Sequence, residues 1–312
     1  MDVSIAVSVV VPTFRSPATL PLLVERIIKC GWFTHQSELV IVDDGNDDDT
    51  WLVILGLAER NTQVRGLRLG RNFGQHAALL AGVREARNRI IVTLDDDLQN
   101  PPEEVPKMLA ALTNEFDVVY GLPARRRQSP WRNFASMGSK RFMRHALGFL
   151  HATDISAFRV FRTRLRQSFD GDLGPGVSLD ALLNWSTTRF TSVEVEHEER
   201  QQGRSNYGFG KLVRFMLDTA TGYSTVPLKF ATGLGLLTIA LSIGVLIYVT
   251  VRPLMTGESV PGFPFLASTI AIFSGTQLLV LGILGQYIGR MHFRVMAKPT
   301  YTISESTSRL PE

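Results

Sequence analysis

The chain of 312 residues contains a single cysteine, Cys30. One cysteine cannot form a disulfide within the chain, which excludes a disulfide-stapled secreted domain and favours a reducing compartment. No histidine pattern accompanies Cys30, so we interpret it as a structural residue rather than a nucleophile. The apolar run Val3–Val11 has no basic residues ahead of it and no cleavage pattern after it. We therefore expect a buried first strand there rather than a signal peptide.

Charge is scarce in the last third of the chain. Charged residues make up 20% of the sequence, below the roughly 25% of an average soluble protein. Two runs carry no charge at all, Phe230–Val251 and Phe263–Gly289. As helices they would extend about 33 and 40 Å, enough for a hydrocarbon core of about 30 Å. The short connection between them predicts a hairpin of two transmembrane helices rather than two core helices of a soluble protein.

Basic residues flank this pair of runs on its outer sides. They are Lys211, Arg214 and Lys229 before the first run, and Arg290, Arg294 and Lys298 after the second. The loop between the runs carries Arg252 as its one basic residue. The positive-inside rule predicts that both ends of the hairpin, and the domain that precedes it, lie in the cytoplasm. The segment after Tyr301 is polar and rich in Ser and Thr, and we expect it to be disordered.

The first 120 residues alternate between short apolar runs, rich in β-branched residues, and longer helical patterns. The predicted strands are Ser8–Val11, Leu39–Val42, Val64–Leu69, Ile90–Leu94 and Val118–Tyr120. The predicted helices are Leu20–Cys30, Thr50–Glu59, Gln75–Ala86 and Glu103–Thr113. Continuous apolar strands separated by helices are typical of a mostly parallel sheet covered on both faces. The sequence thus predicts an α/β, Rossmann-like, doubly wound domain.

Acidic residues follow two of these strands: Asp43–Asp44 after the second and Asp95–Asp97 after the fourth. In open α/β sheets, ligands bind beyond the carboxyl ends of the strands. In an extended chain Asp95 and Asp97 point one way and Asp96 the other. Adjacent carboxylates repel one another unless a cation is present, and their oxygens suit Mg²⁺ or Mn²⁺. We therefore predict a site for a divalent cation and phosphates, with an acidic turn before the next helix as the alternative.

The stretch Gly121–Leu150 contains no Asp or Glu, and its basic residues alternate with aromatic ones. The basic residues are Arg125, Arg126, Arg127, Arg132, Lys140, Arg141 and Arg144. This pattern is typical of a segment at a membrane surface or of one that binds an anionic ligand. Both interpretations remain open.

Six short stretches spread along the chain form a recognisable set. They are Val9–Pro12, Ile41–Gly45, Arg71–Gly74, Asp95–Glu103, Phe158–Arg159 and Arg200–Ser205. Together they resemble the inverting glycosyltransferases of family 2, which have the GT-A fold. The resemblance is closer to the polyprenyl-phosphate glycosyltransferases, the group of dolichyl-phosphate mannose synthase and its bacterial relatives. The first motif departs from the family at Thr13–Ser16, where Tyr-Asn-Glu is usual.

The resemblance implies roles for matching residues. The nucleotide-sugar donor would contact Pro12, Thr13, Asp43, Asp44, Asp95, Asp96, Arg200 and Ser205. A divalent cation, Mg²⁺ or Mn²⁺, would be bound by Asp97 and Gln99. The acceptor phosphate would contact Arg125, Arg132 and Ser136. The catalytic residues would be Asp95, Asp97 and Asp154, with a structural role in a turn as the alternative for Asp154.

The function implied is inverting transfer of a sugar from a nucleotide-sugar, UDP- rather than GDP-linked, to polyprenyl (undecaprenyl) phosphate at the bacterial inner membrane. The predicted organisation is a cytoplasmic GT-A catalytic domain with a basic interfacial segment, a juxtamembrane amphipathic helix, two transmembrane helices and a cytoplasmic tail. These correspond to residues 1–208 with 121–150, then 209–227, 228–290 and 291–312. A homo-oligomer remains open, and we expect no nucleic-acid partner.

Two alternatives belong to other classes. A processive polysaccharide synthase would carry a Q-x-x-R-W motif, which this sequence lacks. A non-catalytic membrane protein with an inherited nucleotide site is disfavoured by the intact Asp95, Asp97 and Gln99.

Overall fold

The computed structural model describes residues 5–123, 155–169, 171, 173–174, 178–198, 225–256 and 262–307. The chain divides into two compact units. The first unit contains the described residues up to 198 together with residues 296–307, and the second contains residues 225–256 and 262–295.

The first unit is built on a sheet of eight strands. The strands are β1 (Val7–Thr13), β2 (Glu38–Asp43), β3 (Val64–Leu69), β4 (Ile90–Thr93), β5 (Val118–Pro123), β6 (Arg159–Arg162), β7 (Phe190–Val195) and β8 (Ile303–Ser306). Their order is β7-β5-β6-β4-β1-β2-β3-β8. The pairs within β4-β1-β2-β3 and the pair β5-β7 are parallel. β6 is antiparallel to β4 and β5, and β8 is antiparallel to β3.

Among the described residues, five α-helices accompany the sheet. They are α1 (Leu20–Lys29), α2 (Thr50–Arg60), α3 (Gln75–Glu85), α4 (Val105–Ala111) and α5 (Leu179–Ser186). Two 3₁₀ helices span Pro102–Glu104 and Thr163–Phe169. The single helix predicted over Glu103–Thr113 is thus a 3₁₀ turn followed by the shorter α4, because Pro102 and Pro106 restrict how the chain enters the helix.

Both faces of the central strands are buried. Val9 and Val11 of β1 pack into an apolar cluster with α1, whereas Val10 between them packs on the opposite face with α3. This is the period-two alternation of a strand covered on both sides. The doubly wound, mostly parallel GT-A sheet predicted from the sequence is confirmed.

Three strands were not predicted. β6 contains two arginines in four residues, and β7 and β8 contain three polar side chains each. The disorder expected after Tyr301 is wrong, because residues 303–306 form β8 at the edge of the sheet. Strand pairing satisfies the backbone groups of this polar segment, which its composition does not reveal.

The second unit consists of α6 (Val226–Thr256) and α7 (Gly262–Val295), which pack against each other. Val226–Arg252 and Ser268–His292 are long and apolar enough to cross a membrane, with mean hydropathies of 2.4 and 1.7. Their large apolar side chains are mostly exposed, for example Leu246 and Leu278. Helices that expose this much apolar surface favour lipid over water as their surroundings.

Candidate active site

A cleft of about 360 Å³ opens beyond the carboxyl ends of the sheet. The chain proceeds from β1 outward to β3 and then returns to the other side of β1 as β4. Such a reversal of strand order leaves a crevice between the loops that follow the two neighbouring strands. The cleft is lined by Pro12, Thr13, Phe14, Asp44, Asn72, Gly74, Gln75, Asp95, Asp96 and Asp97. Residues predicted from three different strand ends therefore meet in one place.

The acidic loop after β4 has an unusual backbone. Leu98 adopts φ 62°, in the left-handed region that non-glycine residues rarely occupy. Its side chain is buried in the apolar core, which holds the residue in place. In the resulting turn the Gln99 amide donates a hydrogen bond to Oδ1 of Asp97 at 3.2 Å. Asp97 and Gln99, the two residues predicted to bind a cation, thus share one turn. The backbone strain at Leu98 between them is of a type that occurs often at functional sites.

Asp95 lies at the base of the cleft. Its Oδ1 accepts a hydrogen bond from Nε2 of Gln75, the first residue of α3, at 2.7 Å. Burial raises the pKa of Asp95 to about 6; Asp96 and Asp97 add to this, whereas the positive charge of Arg159 opposes it. A carboxyl group whose ionisation is this costly is the kind of group that a cation or a ligand stabilises.

Arg159 and Asp180 form a buried ion pair behind β4. Arg159 donates from Nε and Nη2 to the two carboxylate oxygens of Asp180 at 2.8 and 2.9 Å, and from Nη1 to the Thr93 hydroxyl at 3.3 Å. Tyr120 donates its hydroxyl to the same carboxylate at 3.1 Å. This network fixes a positive charge near Asp95 without occupying the cleft.

Asp96 faces the loop that follows β1. The hydroxyls of Thr13 and Ser16 and the backbone amide of Phe14 act on it and oppose the increase that burial causes in its pKa. Arg15, in the same loop, has φ 56° and donates its amide to Asn46 Oδ1 at 3.1 Å. Asp96 therefore lies close to the β1 loop, which forms one side of the cleft, although within the described residues neither its Oδ2 nor the Thr13 hydroxyl has a hydrogen-bond partner.

Asp44 secures the opposite side. Its two carboxylate oxygens accept hydrogen bonds from the amides of Phe73 and Gly74 at 2.8 and 2.9 Å. Gly45 has φ 68°, and a Cβ there would lie 2.2 Å from the Arg71 carbonyl carbon, so only glycine fits. The Asp-Asp-Gly motif and the stretch Arg71–Gly74 therefore form one unit. A nucleoside contact by Asp44 stays a prediction.

Asp43 is fully buried beneath these loops. Its Oδ1 accepts hydrogen bonds from the backbone and side-chain amides of Asn46. Its Oδ2 lies 3.5 Å from Nε of Arg68 and, among the described residues, has no hydrogen-bond partner. Burial raises the pKa of Asp43, opposed by Asn46 and Arg68. Asp43 does not line the cleft, so it supports the loop from beneath, and a nucleoside contact by its carboxylate stays a prediction.

Arg26 links the loop that follows β4 to the segment that follows β7 through Glu103 and Glu198. We call these three residues the Arg26 clamp. Arg26 on α1 donates to Glu103 Oε1 at 2.7 Å and to both carboxylate oxygens of Glu198 at 2.6 and 3.2 Å. The Glu198 amide in turn donates to the Gln99 carbonyl at 3.0 Å. These hydrogen bonds from Arg26 lower the pKa of Glu198. The chain that leads towards Arg200 is thereby held against the loop of the predicted cation ligands.

The oxygen donors fit a cation that arrives with its substrate. Within the described ranges, no group of three or more His, Cys, Asp and Glu side chains could hold a metal ion. Asp95 and Asp97 line the cleft, and Gln99 shares the turn of Asp97. Mg²⁺ commonly binds through one or two carboxylates and takes its remaining ligands from substrate phosphates and water. This open set therefore suits a cation bound together with a diphosphate.

Several predicted residues lie outside the described ranges. They are Arg125, Arg132, Ser136, Asp154, Arg200 and Ser205. Their roles stay predictions, as does the amphipathic character of residues 124–150 and 209–224.

Other residues at the cleft were not assigned from the sequence. Phe14, Asn72, Gly74 and Gln75 line it, although only the stretch Arg71–Gly74 had been recognised, without a role. Their position in the sequence could have indicated this role. Gln75 directly follows that stretch and is the first residue of a helix, and its side chain reaches the same crevice as Asp95.

The fold and the cleft define an α/β protein with an acidic ligand site beyond the carboxyl ends of its strands, and sequence comparison supplies the family. Residues 8–169 match the profile of glycosyl transferase family 2, which covers more than half of the chain. The chain therefore belongs to glycosyl transferase family 2 and is a glycosyltransferase.

Full-length relatives support the same assignment. The chain is 34% identical over 305 residues to an undecaprenyl-phosphate 4-deoxy-4-formamido-L-arabinose transferase of Aeromonas hydrophila, covering 96% of this chain and 93% of the relative. The enzyme of the same description from Proteus mirabilis is 33% identical over 304 residues, with the same coverage. The alignment includes both apolar helices, so the similarity extends over the whole architecture.

Solved structures show the same fold. Glucosyl-3-phosphoglycerate synthase from Mycobacterium tuberculosis, in complex with Mn²⁺, UDP and glucosyl-3-phosphoglycerate, aligns with a TM-score of 0.53 at 17% identity. The alignment covers 70% of this chain and 80% of that one. The complex with Mg²⁺ and UDP gives the same TM-score at 18% identity, with 70% and 79% covered. At this identity the likeness concerns the GT-A fold.

Proposed function

We propose that the protein transfers a sugar from a nucleotide-sugar to undecaprenyl phosphate. The observation that carries this proposal is the cleft in which Asp95–Asp97, Asp44 and Pro12 meet at the reversal of strand order. Relatives that align over nearly the full length are described as undecaprenyl-phosphate sugar transferases, which supports the acceptor. The altered first motif and the two-helix tail favour UDP over GDP as the carrier of the sugar.

The chemistry suits a phosphate acceptor. A phosphate monoester is largely dianionic at neutral pH because its second pKa is near 6, so it can attack without a general base. Its oxygen bonds to the anomeric carbon while the bond from that carbon to the nucleoside diphosphate breaks, which inverts the configuration. Bound Mg²⁺ or Mn²⁺ would neutralise charge on the leaving diphosphate. Asp97 and Gln99 would hold the cation, and Asp95 would complete the acidic site.

The anionic acceptor needs positive charge beside an anionic donor. Arginine suits this task because its planar guanidinium binds phosphate oxygens in pairs. The candidates are Arg125, Arg132 and Arg200, with Ser136 and Ser205 as hydroxyl donors. The other basic residues of Gly121–Leu150 would contact anionic lipid headgroups.

We also propose that the catalytic unit and both ends of the helix pair lie on the cytoplasmic side. The basic flanks of the two apolar runs favour this orientation. The edge strand β8 independently supports one part of this, that both ends lie on the same side. Residues that precede α6 and residues that follow α7 belong to one sheet, so an even number of membrane crossings is required between them.

The test is sugar transfer by the full chain in detergent or nanodiscs. Undecaprenyl phosphate is incubated with radiolabelled UDP- and GDP-sugars, including UDP-linked 4-deoxy-4-formamido-L-arabinose, with Mg²⁺, Mn²⁺ or EDTA. We expect label in the organic phase only with a divalent cation and a UDP-sugar. No labelled lipid from any donor would refute the proposal, and a labelled glycan polymer would indicate a processive synthase instead.

A further inference from the structure

The C-terminal strand β8 is an integral part of the catalytic unit. It pairs with β3 so that Glu305 lies opposite Arg68. Hydrogen bonds close both ends of this pairing: the Gly70 amide donates to the Thr302 carbonyl at 2.9 Å, and the Thr307 amide to the Gly66 carbonyl at 3.0 Å. The chain that follows α7 therefore forms the edge strand of the sheet, beside β3, which pairs with the strand that ends at Asp43.

The Glu305 side chain binds two groups of this unit. Its Oε1 accepts a hydrogen bond from Nη1 of Arg68 at 2.8 Å, and its Oε2 accepts one from Nε1 of Trp51 at 3.1 Å. The guanidinium also lies over the Trp51 ring, 6.0 Å from its centroid. Trp51 is buried, so it fixes where Glu305 sits, and Glu305 in turn fixes one edge of the guanidinium.

The other edge of the Arg68 guanidinium faces the loop Asp43–Asn46. Nη2 donates to the Asn46 carbonyl at 3.0 Å, and Nε lies 3.5 Å from Oδ2 of the buried Asp43. Asn46 ties Asp43 to the amide of Arg15, whose neighbour Phe14 lines the cleft. One guanidinium therefore supports the loop beneath two sides of the cleft.

We propose that Arg68 and Glu305 are positioning residues for the donor: Glu305 orients Arg68, and Arg68 holds the Asp43–Asn46 loop in the shape that receives the nucleotide. This inference rests on the proposed function, since it assigns the loop to nucleotide binding. Both residues act through Asp43 and Asn46. An arginine that loses one of its anchors gains rotamer freedom and holds its other partners less tightly.

The test uses the full chain with Glu305→Gln, which keeps the size and removes the charge. We expect the donor KM and the Kd for the nucleoside diphosphate to rise about twofold to fivefold, because a half-exposed ion pair is worth less than about 1 kcal/mol. Gln also has only one acceptor oxygen, so it cannot keep the hydrogen bonds from both Arg68 and Trp51. The acceptor KM, kcat and melting temperature should stay close to those of the wild type. Arg68→Lys should raise the donor KM as well, since one ammonium cannot replace the paired contacts.

Ser304→Ala is the matched control. Ser304 lies on the same strand and donates its hydroxyl to the Arg68 carbonyl at 3.1 Å, without contacting the guanidinium. Its donor KM should equal that of the wild type. Two results would overturn the inference. One is a Glu305→Gln enzyme with an unchanged donor KM. The other is a general loss, in which kcat and the melting temperature fall and the acceptor KM changes along with the donor KM. A wild-type chain that binds nucleotide but transfers no sugar would refute the proposed function alone, because the Kd comparison still tests the positioning role.

Discussion

Arg159 contacts Asp180 through two hydrogen bonds of 2.8 and 2.9 Å in a place where both side chains are almost wholly inaccessible to water. Arg159 lies on β6, which pairs with β4 on the side opposite β1, and Asp180 lies on α5. Arg159 lowers the pKa of Asp95 while burial raises it. Asp180 therefore holds Arg159 in a fixed position, from which its positive charge partly offsets the negative charge of the acidic loop.

We expect Asp180→Asn to destabilise the protein strongly. Removing one member of a buried ion pair leaves the other charge uncompensated, which costs about 3–5 kcal/mol. The melting temperature of the purified chain should fall accordingly, whereas Glu59→Gln at the exposed end of α2 should leave it unchanged. The double variant Arg159→Met/Asp180→Leu removes both charges and should recover part of the loss. A double variant no more stable than Asp180→Asn would contradict this account.

Asp97→Ala tests the acidic loop directly. Loss of one cation ligand should lower transfer by about 100-fold or more, because neutralising the leaving diphosphate is worth several kcal/mol. Membrane insertion should be unaffected. Activity is measured across a titration of Mg²⁺ and Mn²⁺, with Glu59→Ala as the control. Undiminished turnover at low cation concentration would refute the assignment of Asp97 as a ligand.

The central fold and the acidic site were predictable because their signals are local. Apolar β-branched runs identify β1 to β5, and the acids directly follow β2 and β4. The supporting residues were not predictable, because their partners are distant in sequence. Phe158–Arg159 was recognised as a motif without a role, because Asp180, the partner of Arg159, lies 21 positions later. Glu305 belongs to a polar segment whose only sign of order is its pairing with Arg68, 237 positions earlier.

The raised pKa of Asp95 predicts that its charge weakens the cation-free protein. Below about pH 4 the carboxyl is protonated in both the folded and the unfolded chain, so it has no effect. As the pH rises towards about 6, the unfolded chain ionises first, and the folded state becomes relatively less stable. Above pH 6 this penalty stays constant.

We therefore expect Asp95→Asn to raise the melting temperature in EDTA by a few degrees at pH 7.5 and hardly at all near pH 4. Thermal unfolding measured from pH 4 to 8 checks this, with Glu59→Gln as the control. A stabilisation that does not depend on pH would contradict the assignment, since it would reflect packing rather than charge.

The Arg26 clamp predicts a loss of activity without a matching loss of stability. Its partners Glu103 and Glu198 are about half exposed, at 51% and 40%, so the ion pairs should contribute less than about 1 kcal/mol to folding. They nevertheless hold the chain two positions before Arg200 against the Gln99 carbonyl. Arg26→Ala should lower kcat/KM for transfer by about tenfold, with a melting temperature near that of the wild type.

Lys29→Ala is the control for this experiment, because Lys29 lies one turn further along α1 and pairs with the exposed Glu25 at 2.5 Å. That variant should retain full activity. Arg26→Lys should recover only part of the loss, since an ammonium cannot bridge two carboxylates as the guanidinium does. Equal activity of Arg26→Ala and Lys29→Ala would show that the clamp does not position the segment that leads to Arg200.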